Sequence, residues 1–585
     1  MNISLTRQRL FSLPWVAEGL GVLAGIAYGG QSWIYAHAQD SILDEGAYLY
    51  KGLGFITGEL GIYQDYGPWS NHMPLSFYIP GAVQLLFGPG LRTARYFAIF
   101  VSMLMLLGLW LLARRLAGRW WAAAAVFALA WNPAAIKVYS VALTQGLIAC
   151  MFVWMLVLVL DEKRSWWQIG LGSALAGAMI LTRINLTPVL PLLVLYVFWQ
   201  HGLRAGLSSA LVSGLVVAVG HAFFWPGILR MWAYWLPEAM TPFLNAWRPP
   251  TGTVGYWDPT ISLSSRAASF FHSFRFQFIP MVGALSVWLL WPDRDGWRNR
   301  ADFRKAVLLS AIFTSLWLAH LWATMGKDYC VFCLAGYINF FSAAGILLVM
   351  LTFSSWRTQL TWWRQILIAV ILVTLSTGIG FGAFEDIGDS LWELQISRLF
   401  VGQPLRFSES VPLGGVLENQ FHLGYQVLRR LIPAAFGLAA GLAVLAGALL
   451  VRILYARRLE NQKPSLGHWS VVIFFLLGTV MLPTVLLGGG YRTFDCSGDV
   501  IRSYEQIGTH LAQKIPAGSK VYWRGRLSAA PLLYLRGIGI YPPQLNGDYT
   551  YHVGGDPDAL AEYGFWNQAL AQRWAGEADF ILIAR

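Results

Sequence analysis

The residues best suited to chemistry follow the first long apolar segment of the chain. Asp44 and Glu45 are adjacent carboxylates, and the same polar stretch continues through Tyr48, Asp65, Asn71 and His72. A carboxylate can accept the proton of an attacking hydroxyl, and imidazole and phenol groups can hydrogen-bond an anion. The pattern therefore predicts an acid–base site. The competing interpretation is an ordinary acidic surface that faces water.

The composition indicates what kind of protein must position these residues. Of 585 residues, 56% are hydrophobic and only 12% are charged, whereas soluble chains carry about 25% charged residues. Most of the surface must therefore face hydrocarbon, which excludes a soluble enzyme, a disordered chain and a fibrous protein. The net charge of +12 is explained by basic cytoplasmic loops. A nucleic-acid partner is not expected.

Apolar segments of membrane-spanning length predict an all-α polytopic membrane bundle. The thirteen predicted segments are 15–36, 92–113, 120–137, 144–160, 166–182, 187–200, 206–225, 273–291, 306–324, 331–352, 366–383, 432–452 and 469–488. Basic residues cluster in alternate breaks, which places the N-terminus in the cytoplasm and the C-terminus outside. Segment 74–88 is short and holds two prolines, so we predict a helix at the membrane surface or a re-entrant helix. Segment 15–36 is interpreted as a retained span rather than a signal peptide.

The predicted domains are a membrane module, 1–488, and an external domain, 489–585. Within the module, residues 37–91 form the first external loop, which carries the acids. The C-terminal domain is predicted to be a small α/β domain because helical and strand patterns alternate in it. Its predicted elements are helices 499–514 and 558–575 and strands 520–523 and 578–584.

The four cysteines, Cys150, Cys330, Cys333 and Cys496, are too few for a disulfide scaffold. Cys330 and Cys333 form a CxxC pair at the start of an apolar segment. We interpret them as two residues of one apolar helical turn rather than as a redox site.

Four local motifs resemble the GT-C class of membrane glycosyltransferases, in particular the branch of protein O-mannosyltransferases and lipid A aminoarabinose transferases. The motifs are LDEGAYLYKGLGFITGELG from Leu43, HMPLSFY from His72, the Phe87-Gly88…Arg95…Arg114-Arg115 pattern, and Gly326-Lys327-Asp328-Tyr329. The sequence departs from the family pattern where His72 replaces a lysine, Asn71 an acid and Gln145 another acid. These departures put the acceptor and the strength of phosphate binding in question, and they leave Asp44 untouched.

The resemblance implies roles for individual residues. Asp44 would be the catalytic carboxylate with Glu45 beside it. The donor phosphate would be bound by Tyr48, His72, Arg266, Lys327 and Tyr329, and Asp65 and Asn71 are further candidates. The implied partners are a polyprenyl-phosphate-linked sugar donor, a lipid, glycan or protein acceptor, and membrane lipids, in a bacterial inner or plasma membrane.

The chemistry fits a single displacement that inverts the anomeric centre. No metal cofactor is required, because the leaving group is not a pyrophosphate, although a divalent ion at Asp44 and Glu45 stays open. Two alternatives remain from the sequence. One is an oligosaccharide transferase with a pyrophosphate-linked donor, which should need a divalent metal. The other is a transporter or flippase of lipid-linked sugars, which internal repeats would indicate.

Overall fold

The structure is a computed structural model of the chain. It describes residues 14–583 except for 64–71, 249–260, 294–295, 327–330, 355–359, 398–409, 457–464, 483–497, 525–527, 544, 546–550 and 563–564. The chain divides into two compact units. The first consists of residues 1–130, 136–259 and 494–585, and the second of residues 131–135 and 260–493.

Helices dominate the chain up to residue 235. They are α1 (Pro14–Ala38), α2 (Leu43–Thr57), α3 (Leu75–Phe87), α4 (Leu91–Ala117), α5 (Arg119–Ala130), α6 (Pro133–Tyr139), α7 (Thr144–Val159), α8 (Trp166–Thr182), α9 (Val189–His201), α10 (Leu203–Phe223) and α11 (Leu229–Trp235). A 3₁₀ turn, Ile184–Leu186, joins α8 to α9.

The segment from residue 263 to residue 481 is also helical. Its helices are α12 (Leu263–Phe276), α13 (Phe278–Leu289), α14 (Arg300–Leu321), α15 (Leu334–Ile338), α16 (Ser342–Ser354), α17 (Trp362–Gly382), α18 (Phe384–Trp392), α19 (Leu413–Phe421), α20 (Tyr425–Ala456) and α21 (Leu466–Met481). Two short strands, β1 (Gln395–Ser397) and β2 (Ser410–Pro412), pair antiparallel.

Six described helices are long and apolar enough to cross a membrane, and there are eight spans if each of two bent helix pairs counts as one. The six are Leu91–Ala117, Ile184–His201, Leu203–Phe223, Arg300–Met325, Trp362–Gly382 and Tyr425–Leu454. The prediction of an all-α polytopic membrane protein is confirmed. The count of thirteen spans and the orientation of the termini stay predictions.

The predicted span 120–137 corresponds to a bent pair of helices. The chain bends by 77° between Arg119–Ala130 and Pro133–Tyr139. The reason is local: Pro133 cannot continue a helix from the preceding turn, but it fits the first position of a new one. Asn132 caps the new helix, because its Oδ1 accepts a hydrogen bond from the Ala135 amide at 3.1 Å. The segment 331–352 is likewise bent, by 57°.

Helices α2 and α3 form a closely packed pair in the predicted first external loop. A Cβ on Gly52 would lie 2.5 Å from the Phe77 carbonyl oxygen, and a Cβ on Gly81 would lie 2.1 Å from the Gly52 carbonyl oxygen. Only glycine at both positions permits this approach. The prediction of a helix over 74–88 is confirmed by Leu75–Phe87, and its place relative to the membrane stays a prediction.

The C-terminal residues of the first unit fold into a small α/β arrangement, as the sequence predicts. Parallel strands stand in the order β4 (Gly539–Tyr541), β3 (Lys520–Arg524), β5 (Phe580–Ile583), and helix α22 (Val500–Lys514) precedes them. The single predicted helix 558–575 is wrong. The segment forms α23 (Pro557–Glu562) and α24 (Gln568–Glu577), because Asn567 starts a new helix by accepting from the Leu570 amide. The predicted domain boundary at 488–489 lies outside the described residues.

The described cysteines differ in their bonding. Cys333 is disulfide-bonded, and it lies in a 3₁₀ turn, Val331–Cys333, rather than in a regular α-helical turn. Cys150 is a free thiol. Cys330 and Cys496 lie outside the described residues.

Candidate active site

Asp44 and Glu45 occupy the first turn of α2. Carboxylates are favoured there because the unpaired amide groups of a helix start carry partial positive charge. Adjacent residues on a helix point about 100° apart. The two carboxylates therefore enter different surroundings, although they are neighbours in the sequence.

Glu45 is bound in a completely buried ion pair with Arg95 of α4. Arg95 Nε donates to one carboxylate oxygen at 3.0 Å and Nη2 to the other at 2.8 Å, and neither side chain is exposed to solvent. The Ala142 amide adds a third hydrogen bond to the carboxylate at 2.8 Å. Arg95 Nη1 donates to the carbonyl oxygens of Ala36 and Gln39, both at 2.6 Å. We call this group the anchor; it joins the end of α1, the start of α2 and α4.

Asp44 is partly exposed at the surface of the chain and is within electrostatic range of Arg183. Burial raises the pKa of the Asp44 carboxyl, and the positive charge of Arg183 acts in the opposite direction. A carboxylate with a raised pKa is a stronger base than an ordinary aspartate. Of the two predicted catalytic acids, Asp44 is therefore the one whose surroundings suit proton transfer.

Arg183 joins Asp44 to the predicted residues Tyr48 and His72. Its Nη1 lies 2.8 Å from His72 Nδ1, and its Nε donates to the Thr144 hydroxyl at 2.9 Å. The guanidinium carbon lies 5.8 Å from the centre of the Tyr48 ring, which itself lies 5.1 Å from the His72 ring. These contacts assemble residues from α2, the segment before α3, and the end of α8.

The contact with Arg183 fixes the protonation of His72. A guanidinium can only donate, so Nδ1 must be the acceptor and a neutral ring carries its proton on Nε2. The pKa of His72 is lowered well below its usual value, first by burial and then by the charges of Arg183 and Lys51. His72 is therefore a neutral hydrogen-bond donor through Nε2 rather than a cation.

Lys51 completes the group. It lies seven residues after Asp44, so Asp44, Tyr48 and Lys51 share one face of α2. Its side chain is 1% exposed, and burial lowers its pKa to about 7. We call Asp44, Tyr48, Lys51, His72 and Arg183 the acid site. With His72 neutral, two cations stand against one carboxylate, which suits a bound anion.

An apolar cleft of about 460 Å³ opens between α3, α4 and the start of α7. Ser76 and Thr144 contribute its hydroxyl groups, and Pro80, Phe97, Val101 and Leu147 are among its apolar walls. Thr144 also accepts the hydrogen bond from Arg183. The cleft therefore adjoins the acid site through the hydrogen bond between Thr144 and Arg183.

The C-terminal residues pack on the start of α2. The Ser41 and Ser528 hydroxyls lie 2.8 Å apart and are buried. A Cβ on Gly46 would lie 2.4 Å from Ser528 Oγ and 2.5 Å from the Ala529 amide. Arg92 also pairs with Glu505 of α22 through two hydrogen bonds, of 2.7 and 2.8 Å. The turn that carries both acids is thus held from the C-terminal side as well.

The other predicted site residues belong to the second unit or lie outside the described residues. Arg266 belongs to the second unit, where it donates to the Met325 carbonyl oxygen. Asp65, Asn71, Lys327 and Tyr329 lie outside the described residues. Their assignments stay predictions.

Sequence reasoning missed Arg183 and did not assign Lys51 to the site. For Arg183 a signal existed in the predicted topology, because the break at 183–186 falls on the external side, where basic residues are not favoured. An arginine between two apolar segments on that side indicates a functional or buried cation.

Within the described residues, no cluster of three or more His, Cys, Asp or Glu side chains could hold a metal ion.

Part of the chain is similar to a known protein family. Residues 71–230 match the family of dolichyl-phosphate-mannose-protein mannosyltransferases. This segment includes His72 and Arg183 and begins after Asp44. No curated protein matches the chain by sequence.

The solved structures that the chain matches include two of ArnT from Cupriavidus metallidurans. The one bound to undecaprenyl phosphate is 16% identical, covers 94% of this chain and 90% of its own, and has a TM-score of 0.46. The apo structure is 16% identical, the match covers 93% of this chain and 87% of that one, and the TM-score is 0.42. An Archaeoglobus fulgidus oligosaccharyltransferase tethered to an acceptor peptide is 12% identical. The match covers 92% of this chain and 64% of that one, with a TM-score of 0.29. The family match over residues 71–230 confirms the predicted resemblance to the GT-C membrane glycosyltransferases.

Proposed function

We propose that this membrane protein transfers a sugar from a polyprenyl-phosphate carrier to an acceptor hydroxyl, with Asp44 as general base. The observation that carries the proposal is the acid site, in which a carboxylate of raised pKa lies with Arg183, Lys51 and a neutral His72. The family match supports the same class of donor, since its members are described as dolichyl-phosphate-mannose dependent.

The cations of the acid site would stabilise the negative charge of the leaving phosphate. A sugar linked to a polyprenyl monophosphate is a phosphodiester with one negative charge, and the departing monoester can reach two. Arg183 and Lys51 stabilise this additional charge, and His72 Nε2 and the Tyr48 hydroxyl can donate hydrogen bonds to the phosphate oxygens. In this assignment His72 occupies the place of the family lysine as a neutral donor, and Arg183 supplies the positive charge.

The carboxylate of the acid site would activate the acceptor hydroxyl. Asp44 takes the proton from the acceptor hydroxyl as its oxygen attacks the anomeric carbon. The bond between that carbon and the phosphate oxygen breaks, and the phosphate leaves with the bonding electron pair. Attack from the face opposite the phosphate inverts the anomeric configuration. The apolar cleft beside Thr144 offers a path for the first isoprene units of the carrier.

The decisive assay follows labelled sugar from a polyprenyl-phosphate donor to product with the purified protein in detergent. Arg183→Met removes a charge-assisted hydrogen-bonding partner, and about 1.5–3 kcal/mol per such bond gives a roughly ten- to hundredfold loss in kcat/KM for the donor. Arg536→Met is the matched control, because Arg536 pairs with Glu59 at an exposed position of the same unit. Equal kinetics of wild type and Arg183→Met would remove Arg183 from the donor site.

The same preparation tests the alternatives. Uptake of lipid-linked sugar into vesicles without bond cleavage would indicate a flippase. Turnover of a pyrophosphate-linked oligosaccharide that a chelator abolishes would indicate an oligosaccharide transferase. Transfer from the monophosphate donor in the presence of chelator is the result that supports the proposal.

A further inference from the structure

A second cleft is lined entirely by residues of the second unit. It is formed by the helix break at Trp131–Ala134, the junction between α12 and α13, and the end of α21. Its walls are largely aromatic and aliphatic, and include Trp131, Pro133, Phe276, Phe278, Ile279 and Leu482. One charged side chain, Arg275, lines it.

Arg275 is buried but incompletely bonded. It is 2% exposed, and its Nη1 donates to the Asp386 carboxylate. Its Nε and Nη2 are buried and, among the residues that the structure describes, have no hydrogen-bond partner. Buried guanidinium groups normally have their donors satisfied. A ligand in the cleft would supply the missing acceptors.

The two nitrogens without acceptors define the chemistry of that ligand. Nε and Nη2 form one edge of the planar guanidinium and present two parallel N–H groups. This fork matches the spacing of two oxygens on a phosphate or carboxylate. Asp386 already balances one positive charge, so a singly charged phosphodiester fits better than a doubly charged free phosphate.

The walls of the cleft are fixed by the fold. A Cβ on Gly478 would lie 2.0 Å from the Phe278 ring, so glycine there allows this ring to pack directly on α21. Asn132 Nδ2 donates to the Phe276 carbonyl oxygen at 3.2 Å and ties the helix break to the end of α12. An apolar, preformed cleft around one oxyanion-binding edge suits an amphiphile.

We propose that this cleft binds the phosphodiester head group of a membrane phospholipid, with Arg275 as the bidentate ligand and the aromatic walls in contact with the glycerol and upper acyl groups. The inference does not rest on the proposed glycosyl transfer. It assigns the second unit a lipid site of its own.

Native mass spectrometry of the purified full chain, titrated with phosphatidylglycerol in detergent, tests the site. Arg275→Lys keeps the charge opposite Asp386 but loses the fork, and it should raise Kd about tenfold or more. Ala134→Leu fills the cleft without altering the Arg275–Asp386 pair, and it should weaken binding similarly. If Arg275→Lys fails to fold, Ala134→Leu decides the outcome.

Two controls separate this site from others. Arg429→Lys changes another arginine of the second unit, one that pairs with Asp389, and it should leave phosphatidylglycerol binding unchanged. Asp44→Asn should also leave it unchanged. Binding that is equal in wild type, Arg275→Lys and Ala134→Leu would overturn the proposal. So would a preference for undecaprenyl phosphate over phosphatidylglycerol, which would assign the cleft to the carrier lipid.

Discussion

The anchor and the acid site begin at neighbouring residues, yet their surroundings differ completely. Glu45 has both carboxylate oxygens bonded to Arg95 and a third bond from the Ala142 amide, all without solvent exposure. Asp44 is partly buried near Arg183, with a raised pKa. A saturated ion pair holds structure, whereas a carboxylate of raised pKa can exchange a proton. Two adjacent acids therefore divide into a structural residue and a candidate base.

The largest effect is expected from a substitution that disables the acid site and leaves the anchor intact. Asp44→Asn keeps the size of the side chain but cannot accept the proton, so turnover should fall by roughly 10²–10⁴. Because its folded-state pKa is raised, ionised Asp44 destabilises the fold above the unfolded pKa, and the asparagine should leave thermal stability equal or higher. Transfer assays and thermal unfolding on one preparation check both halves.

Near-normal turnover in Asp44→Asn would contradict the assignment. If turnover were lost only in Glu45→Gln while its stability stayed intact, the roles of the two acids would be exchanged.

The second largest effect is expected on stability, from a substitution that disrupts the anchor and leaves the acid site intact. Glu45→Gln leaves Arg95 charged and buried without its counter-ion, which should cost about 3–5 kcal/mol of stability. The loss should appear as a lowered unfolding temperature in detergent at neutral pH. Activity should recover at temperatures where the variant is still folded. A variant as stable as wild type would show that the ion pair is not needed for the fold.

A third effect tests the contact between the C-terminal residues and α2. Gly46→Ala places a methyl group against Ser528 and the Ala529 backbone, and overpacking of this kind costs about 1–3 kcal/mol. We expect a moderate loss of both stability and kcat, because the displaced turn carries Asp44. Gly58→Ala is not a suitable control, since Gly58 has a φ of 77°. Gly25→Ala is suitable, because a Cβ there would meet nothing within 4 Å.

The smallest effect concerns pH. The Lys51 pKa is lowered to about 7, so the ammonium is lost as pH rises through that value, and kcat/KM for an anionic donor should fall there. Loss of ionised Asp44 should produce the opposite limb at lower pH. Lys51→Arg, which stays charged, should move the upper limb to higher pH. Lys51→Met should abolish that limb and weaken donor binding at low pH. An upper limb that stays near pH 7 in both variants would exclude Lys51 as its source.

The pH at which activity falls should also differ between the free enzyme and its complex with the donor. A bound phosphate stabilises the ammonium form of Lys51, so its pKa should rise in the complex. The fall with pH should therefore lie higher in kcat than in kcat/KM. Coincident limbs would indicate that Lys51 does not contact the bound donor.

The sequence alone predicts the elements whose causes are local. Apolar composition predicts a polytopic membrane protein, because hydrocarbon excludes charge regardless of the fold. The polar pattern after residue 489 predicts helix α22 and strand β3. The local pattern of Asp44, Glu45, Tyr48 and His72 likewise predicts the acid–base region, because it depends only on residue types and their spacing.

The tertiary structure decides what depends on residues far apart in the chain. Glu45 meets Arg95, 50 residues later, and His72 meets Arg183, 111 residues later. No local pattern states which of two adjacent acids a distant arginine will bind, or that an arginine at a helix end will return to a histidine in an earlier loop. Protonation follows from these contacts, because burial and neighbouring charge set a pKa, and both exist only after the chain has packed.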